Sequence, residues 1–150
     1  MKKFHQGIYE VQNLSKYVGK KPPYYRSSWE AAFCRMCDTH PNIVRWANEN
    51  IKIPYQHPFT GKWANYVPDF MLQYIDKSGT EHVELIEIKP SSQTTMENAR
   101  GTANKMAVAI NAAKWAAAQE WCQRQGIRFR IVNEEHIFHT NKKRKPKKRR

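Results

Sequence analysis

Cysteine is scarce, acid is scarce, and long apolar runs are missing. Three cysteines in 150 residues are too few and too scattered for a disulfide framework, which points to a reducing compartment. Cys34 and Cys37 form a C-x-x-C with His40 three residues on. A zinc or iron–sulfur site there needs a fourth ligand, from Cys122 or a distant histidine; within a helical pattern the same pair serves as small buried hydrophobes. No apolar run is long enough to span a bilayer and no signal-peptide pattern opens the chain, so a soluble, intracellular protein without a membrane partner is expected. No internal repeat occurs. The 13 acids face 26 lysines and arginines, for a formal charge of +13. Eight of those charges sit in Lys142, Lys143, Arg144, Lys145, Lys147, Lys148, Arg149 and Arg150, leaving +5 for residues 1–141. Such an excess implies a polyanionic partner, although a basic tail would equally suit an anionic membrane surface.

What is present fits one globular domain, with 40% hydrophobic and 12% aromatic residues. The informative stretch runs from Val67 to Pro90. Two apolar runs, Phe70 to Ile75 and Val83 to Ile88, flank Asp76-Lys77-Ser78-Gly79-Thr80, the pattern of a β-hairpin with a longer loop. A loop over 76–80 pairs Ile75 with Glu81, Met71 with Leu85 and Asp69 with Glu87. Opposed residues share a face, and Lys89, two beyond Glu87, points the same way. The second run is apolar on both faces, which marks an interior strand. Ionised groups on such a strand need a partner or a metal. Two facing acids repel unless a cation joins them, and an oxygen-rich pair suits a hard ion such as Mg2+. A cross-strand Asp/Glu/Lys salt bridge is the structural alternative.

Residues 1–25 read as an extended N-terminal arm with anchors at Phe4, Tyr9, Tyr17, Tyr24 and Tyr25, able to track DNA or to pin the arm to the domain surface. A helix starts at Ser27 or Ser28, carries Trp29, Phe33 and Cys37 on one face, and stops near His40-Pro41. Ser27-x-x-Glu30 forms a capping box. Ile43 to Tyr55 contains a β-like segment centred on Ile51 to Tyr55, followed by a turn-rich loop, His57 to Lys62. Pro68 cannot donate to a ladder, so Asp69 falls at a strand end. Thr94-x-x-Glu97 forms a second capping box. A long helix then runs to about Gln125, with a stripe of Ala99, Ala103, Met106, Ile110, Ala113, Ala117 and Trp121, a possible break at Gly101, and Gly126 closing it. Lys105, Lys114 and Gln119 lie off that stripe and read as solvated or as touching DNA or the site. The last strand, Ile127 to Val132, alternates apolar residues with Arg128 and Arg130, and His136 and His139 read as surface histidines.

Pro68-Asp69 followed by Glu87-Ile88-Lys89 resembles the PD-(D/E)xK nuclease signature, shared by restriction endonucleases and the transposon-end nuclease TnsA. Tyr25-Arg26-Ser27-Ser28-Trp29-Glu30, Ile53-Pro54-Tyr55, Tyr66 to Phe70, Ile86 to Pro90, Asn111 to Trp115 and Val132-Asn133-Glu134 together resemble the head-completion nucleases of T-even-type phages. The resemblance implies an α/β (α+β) fold with a restriction-endonuclease-like αβββαβ core, a mixed sheet flanked by helices. It divides the chain into the arm, a nuclease domain at 26–139 and a disordered polybasic tail at 140–150. It implies Mg2+-dependent hydrolysis of double-stranded DNA leaving 5′-phosphates, with Mn2+ as a substitute ion. Asp69, Glu87 and the Ile88 carbonyl hold the ion, Lys89 acts on the attacking water, and Glu30 faces the site, through a metal-bound water or a second ion. Arg26 and the tail hold phosphates. The expected setting is the host cytoplasm during head completion, with trimming of DNA before tail joining, portal or neck proteins as partners and retention in the virion as an option. A DNA-binding neck protein without catalysis, and a transposon-end or junction-cutting nuclease, are the alternatives.

Overall fold

The computed structural model describes residues 6–90, 94 and 100–133. In chain order it contains β1 (Gly7–Ile8), a 3-10 turn (Leu14–Lys16), β2 (Tyr24–Tyr25), α1 (Ser28–Thr39), β3 (Ile43–Asn48), β4 (Ile53–Gln56), β5 (Trp63–Tyr66), β6 (Phe70–Ile75), β7 (Glu81–Ile88), α2 (Gly101–Gln125) and β8 (Arg128–Val132). The main sheet has the order β3-β6-β7-β8. Its β3–β6 and β6–β7 pairs are antiparallel, while β7–β8 is parallel, with α2 as the crossover. The sheet is therefore mixed, and helix, strand, hairpin, helix and strand follow one another in the expected αβββαβ order.

β7 lies in the sheet interior, which is why its sequence is apolar on both faces. Ile86 and Ile88 join Phe33, Cys34, Cys37, Trp46, Phe70 and Val132 on the α1 side. Leu85 joins Tyr55, Tyr66, Phe129, Ala118 and Cys122 on the α2 side. All three cysteines are free thiols buried in these two clusters, so Cys34 and Cys37 act as small apolar residues. Among the described residues no group of three His, Cys, Asp or Glu side chains is arranged to hold a metal.

The β segment after α1 and part of the α2 stripe need correction. The sheet strand that follows α1 is Ile43–Asn48. The Ile53–Gln56 segment instead pairs with β5 in a separate hairpin, closed by the His57–Lys62 turn. Two strands in close succession left one composite signal in the sequence, and the exposed Trp63, Ala64 and Asn65 hid the second arm. On α2 the fully buried residues are Val108, Asn111, Ala118 and Cys122; Ala113, Ala117 and Trp121 of the expected stripe are partly buried against the same cluster, while Met106 is exposed. An alanine-rich helix has little contrast between its faces, and the buried Asn111 disguises the true one. The helix begins at Gly101, where the sequence offers a break and where φ is 80°, in the left-handed region. It ends as expected, with Gly126 at φ 74° and the Ile127 N–H donating to the Cys122 carbonyl at 2.9 Å. Glu97, His136, His139 and the polybasic tail from Lys142 onward lie outside the described residues.

The segment before α1 packs on the body. Tyr9 and Tyr17 set their rings edge-on to the fully buried Trp46, at 6.1 and 4.8 Å. Asp38, buried on α1, accepts from the Tyr9 hydroxyl and from the backbone N–H groups of Gln12 and Asn13 at 2.7–3.0 Å. Those hydrogen bonds hold its carboxyl below the usual range in spite of burial. Among the described residues no helix is long and apolar enough to cross a membrane.

Candidate active site

The β6–β7 hairpin has the register that its loop length dictates: Ile75 pairs with Glu81, Met71 with Leu85 and Phe70 with Ile86. One further step sets Asp69 across from Glu87. Asp69 precedes the first ladder residue of β6, after the buried Pro68, so the ladder demands no N–H from the proline. Its backbone is clamped: the carbonyl accepts from the Glu49 N–H at 2.9 Å and the Asn48 side chain at 3.0 Å. Its Oδ2 accepts from the Ile88 N–H at 2.7 Å. That bond crosses to β7 and fixes the carboxylate beside the Glu87–Lys89 strand end.

Glu87 is 5% exposed, on the α2-facing side of β7 with Leu85. Its Oε1 accepts from the buried Tyr66 hydroxyl at 2.7 Å, and its Oε2 lies 3.5 Å from Lys89 Nζ. Glu30 reaches the same region from the first turn of α1. The Ser27 hydroxyl caps the helix by accepting from the Glu30 N–H at 3.2 Å, while Glu30 Oε1 accepts from the Arg26 N–H at 3.0 Å. This modified capping box leaves Glu30 buried yet oriented toward the other acids, so capping and a site role coexist. Among the described residues, Asp69 Oδ1 and Glu30 Oε2 carry no hydrogen bond.

The electrostatics are those of an under-neutralised acid cluster. Burial pushes the Asp69 carboxyl well above the usual carboxylate range, and the Glu87 and Glu30 charges add to the rise; the Ile88 N–H and Lys89 oppose it. Burial also raises Glu87, against the pull of Lys89, Tyr66 and Lys114. Glu30 is raised by burial first, with the Arg26 N–H opposing and the charges of Glu49 and Glu87 contributing. Asp69, Glu87, Lys89 and Glu30 thus feel one another. The donor set fits a hard divalent cation, since acids that repel at close range leave carboxylate oxygens unspent.

Arg26 is committed elsewhere. Its guanidinium makes a two-point pair with Glu49, Nε–Oε2 at 3.0 Å and Nη2–Oε1 at 3.2 Å, and lies over the Tyr24 ring. The Arg26 side chain is 58% exposed, and a phosphate contact there would share it with that carboxylate. Glu49 itself, at φ 48°, is a non-glycine residue in left-handed backbone beside the site, a conformation that costs about 1–3 kcal/mol and gathers at functional positions.

Three contributors were not assigned from sequence. Tyr66 stood in the quoted motif without a role, and Tyr55 likewise. Lys114, open in the sequence as solvated or as touching DNA or the site, lies beside the face that α2 buries. With the stripe through Val108, Asn111, Ala118 and Cys122, a lysine three residues after Asn111 and four before Ala118 falls at its edge, and a cation at a core-facing edge is a usable signal. Its ammonium lies over the rings of Tyr55 and Tyr66 at 5.8 and 5.7 Å.

Comparisons with known proteins bear on the same residues. A family model described as "TnsA-like endonuclease N terminal" matches residues 40–134, a span that includes Tyr66, Asp69, Glu87, Lys89 and Lys114 and excludes Glu30. The chain is 34% identical to the protein named "Head completion nuclease" of Enterobacteria phage T4, in an alignment covering 89% of this chain and 93% of that protein.

Proposed function

Because the chain belongs to the TnsA-like endonuclease family, with the head completion nuclease of phage T4 among its relatives, we propose that it is a divalent-metal-dependent endodeoxyribonuclease of phage head completion. Its substrate is double-stranded DNA, and the reaction is phosphodiester hydrolysis leaving 5′-phosphates. The work in the cell is trimming of DNA on filled heads before tails join, in the host cytoplasm and against the portal or neck. The observation that carries this reading is the buried, mutually repelling pair Asp69 and Glu87 with Lys89 at 3.5 Å from Glu87. A protein that only coated DNA would gain nothing from keeping two such acids at a strand end.

Asp69, Glu87 and the Ile88 carbonyl would hold Mg2+, with Mn2+ substituting and Glu30 assisting through a water. When bound, the ion would polarise the scissile phosphate and lower the pKa of a water. The protein's own groups do the rest. The Ile88 N–H and the Tyr66 hydroxyl fix one oxygen of each acid, so neither carboxylate has to reorganise during reaction. Lys89, with 29% of its side chain exposed, can turn from Glu87 to orient the attacking water and to offset charge on the pentacovalent phosphorus. Arg26 and the tail add sequence-indifferent, salt-sensitive phosphate contacts.

Plasmid DNA with Mg2+ or Mn2+ provides the test. Nicking or linearisation is expected, silenced by EDTA, and lost in Asp69→Ala, Glu87→Ala and Lys89→Ala while fold and DNA binding persist. Wild-type cutting by Lys89→Ala would sink the assignment, and an inert wild-type protein that still binds DNA would leave a neck-coating role.

A further inference from the structure

Lys114 has no assigned role in the reaction, yet its surroundings are unusual for a lysine. It sits midway along α2, half-buried, with its ammonium over the faces of Tyr55 and Tyr66. Among the described residues it forms no hydrogen bond and no ion pair. Tyr66 is the same residue that donates to Glu87, so the aromatic shelf under Lys114 ends at the carboxylate that Lys89 approaches from the strand side. Lys114 feels Lys89, Glu87 and Asp69: burial and the Lys89 charge push its pKa down, and the two acids push it up. Two lysines, one from β7's end and one from α2, therefore border a single acid pair. A half-buried ammonium over two aromatic faces is only partly solvated. An anionic oxygen is the partner that completes its coordination, and a lysine binds phosphate as a flexible point charge.

We propose that Lys114 is a substrate-binding residue that contacts a non-bridging phosphate oxygen of the DNA strand at the cleavage position. The inference rests on the reading of the site as one that cuts phosphodiesters. It assigns the Tyr55–Tyr66 shelf the task of holding the ammonium in place before DNA arrives, so that little side-chain entropy is lost on binding.

The test separates the two readings. Binding of a labelled DNA duplex is titrated at several salt concentrations with Ca2+ held constant, a hard ion taking the same oxygen donors as Mg2+, alongside cleavage kinetics in Mg2+. Lys114→Gln should weaken binding, raise KM more than it lowers kcat, and flatten the slope of log affinity against log salt by about 0.9, the value of one phosphate contact. Lys114→Arg should restore the slope. Lys114→Met, which keeps the stem over the rings, replaces the Gln variant should that one fail to fold. An unchanged slope and KM in the uncharged variant overturn the proposal, and a fall in thermal stability alone would reduce Lys114 to a staple between α2 and the β4–β5 hairpin. A flattened slope with a wild-type protein that never cuts DNA would retain the phosphate contact and discard the nuclease reading.

Discussion

Removing one oxygen atom from Tyr66 should move the pH dependence of the whole reaction. The hydroxyl is buried and donates to Glu87 Oε1 at 2.7 Å, and Glu87 is itself 5% exposed. Burial raises the Glu87 pKa while this hydrogen bond lowers it, so Tyr66→Phe removes a donor that favours the ionised form. A hydrogen bond to a charged acceptor contributes about 1.5–3 kcal/mol. Its loss therefore moves the Glu87 titration further up. The acidic limb of the cleavage profile should move with it, measured at sub-saturating Mg2+, where protons and ion compete for the same carboxylate. Stability adds a second readout. A carboxyl whose native pKa lies above its ordinary 4.5 binds more protons folded than unfolded between those values, so stability falls as pH rises through that window. The Phe variant extends the window upward. Its deficit should therefore grow on raising the pH, levelling at about 1.5–3 kcal/mol once Glu87 is ionised in both proteins. An acidic limb that overlays the wild type would show that Tyr66 does not govern the charge of Glu87. A uniform drop in rate at every pH would refute the electrostatic account and leave a steric one.

Asp69→Asn should abolish cutting and yet stabilise the fold, because it deletes a buried charge that Glu87 and Glu30 repel. Its denaturation midpoint should exceed the wild-type value most clearly at alkaline pH, where the wild-type carboxylate has been forced to ionise; a less stable Asn variant at that pH would refute the argument. Arg130→Met should lower stability by about 1–3 kcal/mol by stripping a partner from the buried Glu84, with cleavage unchanged because Glu84 packs on the opposite face from Glu87; chemical denaturation and plasmid nicking measure the two. Deleting residues 142–150 removes eight cations and should flatten the salt slope of DNA binding by up to about 7. Equal slopes would assign the tail to something other than DNA.

The β6–β7 hairpin was legible because its constraints are local. A five-residue loop, Pro68 and a strand apolar on both faces leave one register, and that register sets Asp69 against Glu87 whatever the rest of the chain does. The capping of α1 was legible for the same reason, apart from Glu30 reaching the Arg26 N–H and not that of Ser27. What escaped notice depends on tertiary packing. Lys114 enters the site only because α2 crosses over the β4–β5 hairpin, whose two strands are too short and too exposed on one arm to announce themselves. Glu49 carries no motif, and its left-handed backbone is imposed by the Asp69 carbonyl that its N–H must reach. Arg128 and Arg130 look like a free basic edge in the alternating sequence, yet both lean on Glu84, a residue hidden among the apolar positions of β7.

That last pairing gives β7 two buried glutamates three residues apart, one on each face, with opposite fates. Glu84 is 2% exposed and fully partnered: Arg130 Nε at 3.0 Å, Arg128 Nη1 at 3.5 Å and the Tyr74 hydroxyl at 2.8 Å. Glu87 is buried to nearly the same degree, but it has one neutral donor and a lysine at 3.5 Å, and it faces another acid. Had the strand needed a carboxylate for folding alone, the Glu84 solution was available on the same backbone. The shortfall at Glu87 is local, and the residues bordering it are those that can meet a cation and a phosphate: Asp69, Lys89 and Lys114. Burial without compensation on one face, beside burial with compensation on the other, is the contrast expected between a side chain that serves the fold and one that serves chemistry.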